Sequence, residues 1–189
     1  MKSIIALCLL LSACVVSVGA SSPTPNLALQ KQSVTMHLHL DTAIHDAFDA
    51  KVMDANGAPQ STIEVSDWHE TLAHGFKAGF ASAFTIVDPS QPADLTFDLL
   101  LADLSFVPVA PGSGGAASYL AEVRCQARVV DKNGQTIAKA GGRPRSHGSA
   151  ELSNATATAQ AGVEAMYEAL SGTFFANIAA SQPASQLSR

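Results

Sequence analysis

Cysteine is scarce in this chain, with 3 among 189 residues. Cys8 and Cys14 lie near the N-terminus, and Cys125 stands alone in the rest of the sequence. One cysteine cannot form an internal disulfide, so the folded domain must be held together by its hydrophobic core. Because Cys125 alternates in phase with apolar neighbours, we expect a small buried core residue with an inert thiol.

Signatures of catalysis are also missing from the sequence. No Gly-x-Ser-x-Gly motif occurs, and the glycine-rich stretch 112–115 lacks the lysine and the following helix of a phosphate-binding loop. The formal net charge of −5 argues against nucleic acid as a partner. The sequence therefore predicts a protein that is not an enzyme, needs no cofactor and does not bind nucleic acid.

The N-terminal apolar run, Ile4–Leu11, is far shorter than the ~20 residues that a membrane-spanning helix needs. Lys2 precedes it, as in a secretory signal peptide, and Leu11-Ser12-Ala13-Cys14 follows it. A branched apolar residue, two small residues and a cysteine form the lipobox of bacterial lipoproteins. Only a thiol can accept a diacylglyceryl group as a thioether, so Cys14 is the predicted site of lipidation. Several acyl chains would anchor the protein stably.

Cleavage after Val18-Gly19-Ala20 is the alternative, and it would discard Cys14 and release a soluble periplasmic protein. The lipobox is favoured because it lies directly at the end of the apolar run. Val15 follows the cysteine, whereas an Asp there tends to retain lipoproteins in the inner membrane of enterobacteria. We therefore expect attachment to the outer membrane, facing the periplasm.

Composition divides the chain into four parts. Residues 1–13 are the predicted signal peptide, and 14–31 the lipidated cysteine with a flexible tether rich in proline and small polar residues. Residues 32–180 form one predicted domain, and 181–189 a flexible polar tail.

Periodicity indicates a strand, a helix and a second strand in the first half of the domain. Residues 34–40 alternate between apolar and polar, as in a half-buried strand. Asp67 and Glu70 form a possible capping box for an amphipathic helix over 67–84. The apolar run 95–107 is a second strand. Residues 42–64 contain a turn at 56–59 and little other confident structure.

The second half adds a hairpin and a helix. Asn133-Gly134 lies between strand-like segments at 119–130 and 135–140, which is a strong hairpin signal. Residues 108–117 form a predicted flexible loop, and an alanine-rich helix begins near Ser153 or Asn154. The resulting order predicts an α+β two-layer sandwich, with a mostly antiparallel sheet of about four strands and two helices on one face. The first strand–helix–strand step could add one parallel pairing.

His37, His39 and Asp41 alternate along the polar face of the first predicted strand. Imidazole and carboxylate groups are zinc ligands, so this spacing is a weak metal-site candidate. However, the outer pair along a flat strand lies some 13 Å apart, which favours an ordinary solvated face. No metal site is predicted.

Arg124 and Arg128 lie on the polar face of the first hairpin strand, where Glu122 compensates part of their charge. A two-residue turn at Asn133-Gly134 would place Lys139 opposite Arg128. These cations could bind phosphate groups of an envelope lipid or an acidic partner. The alternative is a solvated sheet face with no ligand.

The chain resembles the YajG type of small proteobacterial lipoproteins and, more distantly, the LPS-assembly lipoprotein and auxiliary lipoproteins of ABC-type lipid transporters. The resemblance covers most of residues 14–180, through the lipobox, Leu72-x-x-x-Phe76, Ala93-Asp94-Leu95, the hairpin and the terminal helix. It implies a non-enzymatic envelope protein that binds a partner or a lipid. Only Cys14 carries over as a functional residue.

Together these features predict a lipid-anchored periplasmic accessory protein that binds an envelope protein or lipid, in assembly or lipid handling. A periplasmic small-ligand or metal-binding protein is the alternative, followed by a hydrolase.

Overall fold

The computed structural model describes residues 15–17, 31–109, 118–146 and 154–181. Within these ranges eight strands form one sheet, and two helices accompany it. In chain order the elements are β1 (Val15–Ser17), β2 (Thr35–Leu40), β3 (Phe48–Met53), β4 (Pro59–Ser66), α1 (Trp68–Ala81), β5 (Thr85–Ile86), β6 (Leu95–Val109), β7 (Ser118–Asp131), β8 (Thr136–Gly142) and α2 (Ala155–Ser181). Neither helix is long and apolar enough to cross a membrane.

The long strand β6 organises the sheet. One of its edges pairs antiparallel with β7 from Leu95 to Val109. The other edge is shared by two shorter strands, since β2 pairs with Leu95–Leu99 and β3 pairs with Ser105 and Phe106. The sheet therefore splits between β2 and β3, and residues 100–104 of β6 lie at the split.

The sheet is mixed, so the prediction of a mostly antiparallel sheet of about four strands is wrong. Four of the seven strand pairings are parallel: β1–β4, β2–β5, β2–β6 and β3–β6. The β2–α1–β6 step supplies the one parallel pairing that the sequence suggested. The others were missed because they involve short strands and the 42–64 segment, which contains β3 and most of β4. The broader α+β class and the two helices stand.

Both helices pack against one face of the sheet, and the apolar residues of alternate strand positions form the core there. A register shift at Leu100 changes which positions of β6 face inward. Leu99 is buried before the shift and Ala102 after it. Cys125 is buried in β7, which confirms its predicted place in the core.

The N-terminus of α1 is not capped as predicted. Asp67 has a left-handed backbone, with φ of 59°, and its side chain makes no capping hydrogen bond. Asp46, in the loop after β2, takes this role instead. Its carbonyl accepts the Trp68 amide at 3.0 Å, and its carboxylate accepts the His69 amide at 3.1 Å.

The β7–β8 hairpin confirms the predicted turn region and shows how its register arises. Gly134 has a φ of 81°, which favours glycine, and the Asp131 carboxylate accepts the amides of Asn133 and Gln135. The turn is longer than the two-residue turn considered from the sequence. A register shift between Val129 and Val130 compensates, so Arg128 still lies opposite Lys139.

Several predicted segments fall wholly or partly outside the described residues. Cys14 does, as does most of the tether, although its Val15–Ser17 part forms β1 and pairs with β4. Residues 110–117 of the predicted loop lie outside, while its first two residues belong to β6. The tail lies outside except for Ser181, where α2 ends.

Gly79 of α1 gives a first prediction. A Cβ at this position would overlap the ring of Tyr167 in α2, which is itself buried among phenylalanines. We expect Gly79→Ala to lower the free energy of unfolding by about 1–3 kcal/mol through overpacking, although alanine favours helix. Chemical denaturation measures this. Gly172→Ala in α2 is the matched control, since nothing lies within 4 Å of its Cβ position. It should be neutral or stabilising, and a stabilising Gly79→Ala would contradict the packing described here.

Asp94 gives a second prediction, because it joins the start of β6 to β2. Its carboxylate accepts the Thr35 amide at 3.0 Å and the Thr35 hydroxyl at 2.8 Å, and these bonds lower its pKa. A lowered folded-state pKa adds stability above the unfolded value, and this is lost as the pH falls through the folded value. We expect Asp94→Asn to cost less than about 1 kcal/mol at pH 7, given its exposure.

Thermal unfolding at several pH values tests this. The difference in unfolding temperature between Asp94→Asn and the unchanged protein should shrink as the pH falls through the lowered folded-state pKa of Asp94, where the carboxylate becomes protonated. Asp88→Asn is a comparison rather than a blank, because the bonds that Asp88 accepts from Ser90 also lower its pKa but lie within its own turn rather than between strands. If Asp94→Asn and the unchanged protein differ in unfolding temperature by the same amount at every pH, the ionised Asp94 carboxylate does not stabilise the fold through its bonds with Thr35.

Candidate binding face and cleft

The face of the sheet opposite the helices, here called the open face, carries the charged residues that the sequence singled out. On β7 the residues alternate, so that Val123 and Cys125 are buried against the helices while Arg124 and Gln126 are exposed. The cross-strand register places acidic residues of β6 opposite the arginines: Asp98 faces Arg128, and Asp103 faces Arg124.

Asp98 is the best-buried charged group of the open face. Its side chain is 8% exposed and accepts two bonds, one from Arg128 Nε at 2.7 Å and one shared with His39 Nδ1 at 3.0 Å. Arg128 and His39 are themselves 43% and 58% exposed. A buried carboxylate is costly without such partners, so Arg128 and His39 compensate for its desolvation.

Two further ion pairs cover the middle of the open face. Arg124 donates to Asp103 at 2.6 Å, and Arg145, in the segment after β8, donates to Glu122 at 2.9 Å. The predicted cluster of Arg124, Arg128 and Lys139 is thus brought together on one face, but β6 neutralises both arginines. Among the described residues, Lys139 has no acidic partner within 4 Å.

The weak metal candidates stay apart. His37 Nε2 lies 2.7 Å from the Gln91 carbonyl, and His39 contacts Asp98. Asp41 accepts the Ala43 amide at 2.8 Å, in the loop that leaves the strand. Over the described ranges, no three His, Cys, Asp or Glu side chains are placed to hold one metal ion.

The split between β2 and β3 holds a feature that the sequence did not reveal. None of the described strands pairs with residues 100–104 on this edge, and β6 has other hydrogen-bond partners there. The Leu99 carbonyl accepts the Asp41 amide at 2.8 Å, and the Ala102 carbonyl accepts the buried indole Nε1 of Trp68 at 2.9 Å. These bonds satisfy backbone groups that would otherwise be unpaired.

A cleft of about 420 Å³ opens at this split. Its apolar lining includes Ile44 and Phe48 from the loop and start of β3, together with Trp68, whose ring meets Phe48 edge-on at 6.0 Å. Charged residues complete the lining: Asp49, Lys51, Asp103, Glu122, Arg124 and Arg143. This size and mixture of groups are typical of a small-molecule site.

The cleft residues that the sequence analysis missed come mostly from positions 43–53. Asp49, Lys51 and Met53 do alternate with Ala50 and Val52, and this period of two was the available signal. It was too short to distinguish from the turn-rich surroundings, and nothing in the sequence indicated that Trp68 would bond to β6.

No protein-family model matches the sequence, and no curated protein does. The fold is similar to the crystal structure of protein XCC0632 from Xanthomonas campestris, described under the family model DUF330. The two chains are 14% identical, with a TM-score of 0.55 over 88% of this chain and 97% of that one. A structure described only as an uncharacterized protein covers similar shares at 12% identity and a TM-score of 0.41. At such identity the first similarity shows a shared fold and nothing about function.

The two arginines of the open face give a third prediction. Arg128→Gln removes a charged partner from the buried Asp98, and we expect it to cost about 1–2 kcal/mol of unfolding free energy. Arg124→Gln is the matched control, because Asp103 is 56% exposed and water can replace the lost bond. It should cost less than about 0.5 kcal/mol. Urea denaturation compares the two variants. Equal losses of unfolding free energy would mean that the burial of Asp98 does not make its pair with Arg128 more important for stability.

Proposed function

We propose that this protein is a lipid-anchored periplasmic binding protein of the bacterial envelope, an accessory in assembly or lipid handling that performs no catalysis. The lipobox at Leu11–Cys14 supports the location, and the YajG-type resemblance agrees with it. The observation that carries the binding role is the open face, where a mixed apolar and charged cleft lies beside a row of exposed ion pairs.

The structure supports a short connection between anchor and domain. Val15, the residue after Cys14, pairs with Glu64 at the start of β1, beside β4. Consecutive Cα atoms are about 3.8 Å apart, so a lipidated Cys14 would lie next to the sheet edge. The domain would then be held close to the membrane surface rather than on a long tether.

Binding rather than chemistry is favoured by how the polar groups of the open face are used. The carboxylates of Asp98, Asp103 and Glu122 are each held by an arginine. Such pairs orient the arginines and keep the face rigid, which suits recognition of a partner. Lys139, which has no acidic partner among the described residues, adds a cation at the edge of the same face.

A periplasmic small-ligand binder is the second candidate, and the cleft itself is the observation that favours it. It has apolar walls and converging charged groups, as ligand sites have. The two functions are compatible, since a ligand in the cleft would lie on the same face as a protein partner.

The proposed anchor is tested by the mass of the N-terminal peptide of the mature protein and by palmitate labelling in cells. We expect a diacylglyceryl-modified Cys14 as the first residue and recovery of the protein in the outer-membrane fraction. Cys14→Ala should abolish labelling, whereas Cys8→Ala, which changes a cysteine inside the signal, should not. An unmodified N-terminus at Ser21 would show that cleavage follows Ala20 instead.

The binding role is tested in the same cells with a photo-crosslinking residue at Lys139, on the open face. Lys77, an exposed residue of α1 on the helical side, is the matched control position. We expect crosslinks to an envelope protein or lipid from position 139 and few from position 77. Equal recovery from both positions, or none from 139, would count against the open face as the binding surface.

A further inference from the structure

The cleft is formed because one edge of β6 is shared by two strands. The chain leaves that edge after Leu40, pairs with it again at Lys51, and between these points makes the loop that caps α1 through Asp46. Ile44 of this loop is buried, so the loop is held both by the bonds of Asp46 to α1 and by the packing of Ile44. The cleft is therefore a built feature of the fold, with walls from this loop and from β3, α1, β6 and β7.

The inner part of the cleft is apolar. Trp68 and Leu104 are buried behind the wall, so the apolar surface that a ligand can cover here belongs to Phe48 and Met53, which are half-buried. Covering this surface with an apolar group would stabilise a complex by about 25 cal/mol for each Å² removed from water. The ligand must therefore carry an apolar portion.

The outer part of the cleft has an excess of available positive charge. Asp103 and Glu122 are already paired with Arg124 and Arg145. Lys51 and Arg143 are exposed and, within the described part of the chain, have no acidic partner within 4 Å. Among the described lining residues, Asp49 is the one carboxylate outside these pairs. Two cations against one carboxylate favour an anionic ligand.

We propose that the cleft binds a free single-chain amphiphile whose anionic head, a carboxylate or phosphate, lies between Lys51 and Arg143 and whose apolar chain lies against Phe48 and Met53, next to the buried Trp68. A volume of about 420 Å³ is near the lower end of the roughly 300–1,000 Å³ of ligand pockets, which suits one short chain. The proposal rests on the binding role proposed above and specifies the chemical class of its ligand.

The chain supplies its own probe, because Trp68 is the only tryptophan among 189 residues. The intact protein in zwitterionic nanodiscs is titrated with decyl phosphate below its micelle concentration. We expect a saturable change in tryptophan emission. Decyltrimethylammonium has a similar chain and the opposite charge, and it should bind at least about tenfold more weakly, as expected when charge-assisted hydrogen bonds are lost.

Variants locate the head group. Lys51→Gln and Arg143→Gln should each weaken decyl phosphate binding by roughly three- to tenfold, the range for a lost charged contact at a partly exposed site. Lys77→Gln removes an exposed cation of α1 on the helical side, away from the cleft, and is the matched control. Asp49→Asn should tighten binding, and a gain of affinity cannot arise from a damaged fold.

Three results would overturn the proposal: no saturable emission change, equal affinity for the cationic amphiphile, or variants that bind as the unchanged protein does. A further arm replaces the zwitterionic nanodiscs with anionic ones and omits decyl phosphate. An emission change there, with none from decyl phosphate, would assign the cleft to membrane headgroups instead. Failure here leaves lipidation of Cys14 and crosslinks from position 139 unaffected, so it is distinguishable from failure of the proposed function.

Discussion

The hydrogen bond from the Trp68 indole to the Ala102 carbonyl lies where the sheet is least complete, and much of the molecule depends on it. A buried carbonyl without a partner costs about 1–3 kcal/mol. Of the strands that the structure describes, none pairs with this part of β6 on that edge. The tryptophan supplies the donor only because it begins α1. That start is fixed in turn by Asp46 of the loop that bypasses the split. The sheet, the loop and the helix thereby meet at Trp68, and the cleft is the space beside it between β2 and β3.

The open face is governed by a second constraint, the pairing of charges between neighbouring strands. β6 contributes Asp98 and Asp103, and β7 contributes Arg128 and Arg124 directly opposite. Opposite charges at facing positions stabilise the pair of strands, typically by a few tenths to 1 kcal/mol. These arginines consequently stabilise the sheet, and the carboxylates of β6 largely neutralise their charge. Among the described residues of the cleft and the open face, Lys51, Arg143 and Lys139 are cations outside these ion pairs and can meet a ligand or partner.

Features that depend on local chemistry were predictable from the sequence, and those that depend on distant contacts were not. The β7–β8 hairpin follows from Asn133-Gly134, and burial of Cys125 follows from alternation along one strand. By contrast, the cap of α1 comes from Asp46, which is separated from the helix in the sequence by β3 and β4. The local candidate Asp67 adopts a left-handed backbone instead. The parallel β2–β6 pairing was suggested by the strand–helix–strand order, but the other parallel pairings were missed because they involve short strands whose order in the sheet no local pattern records. The cleft could not be predicted for the same reason, since it exists only where β2 and β3 share one edge of β6.

The order of strands also relates the proposed anchor to the cleft. β1 pairs with β4, and β4 pairs with β3, whose residues Asp49 and Lys51 line the cleft. Neighbouring strands are about 4.8 Å apart, so two strand spacings, about 10 Å, separate β1 from that wall. If Cys14 is lipidated, an amphiphile in the cleft would lie close to the membrane from which such molecules come. An anchor joined directly to the sheet thus holds the cleft near the membrane surface, where a long flexible tether would let it move away.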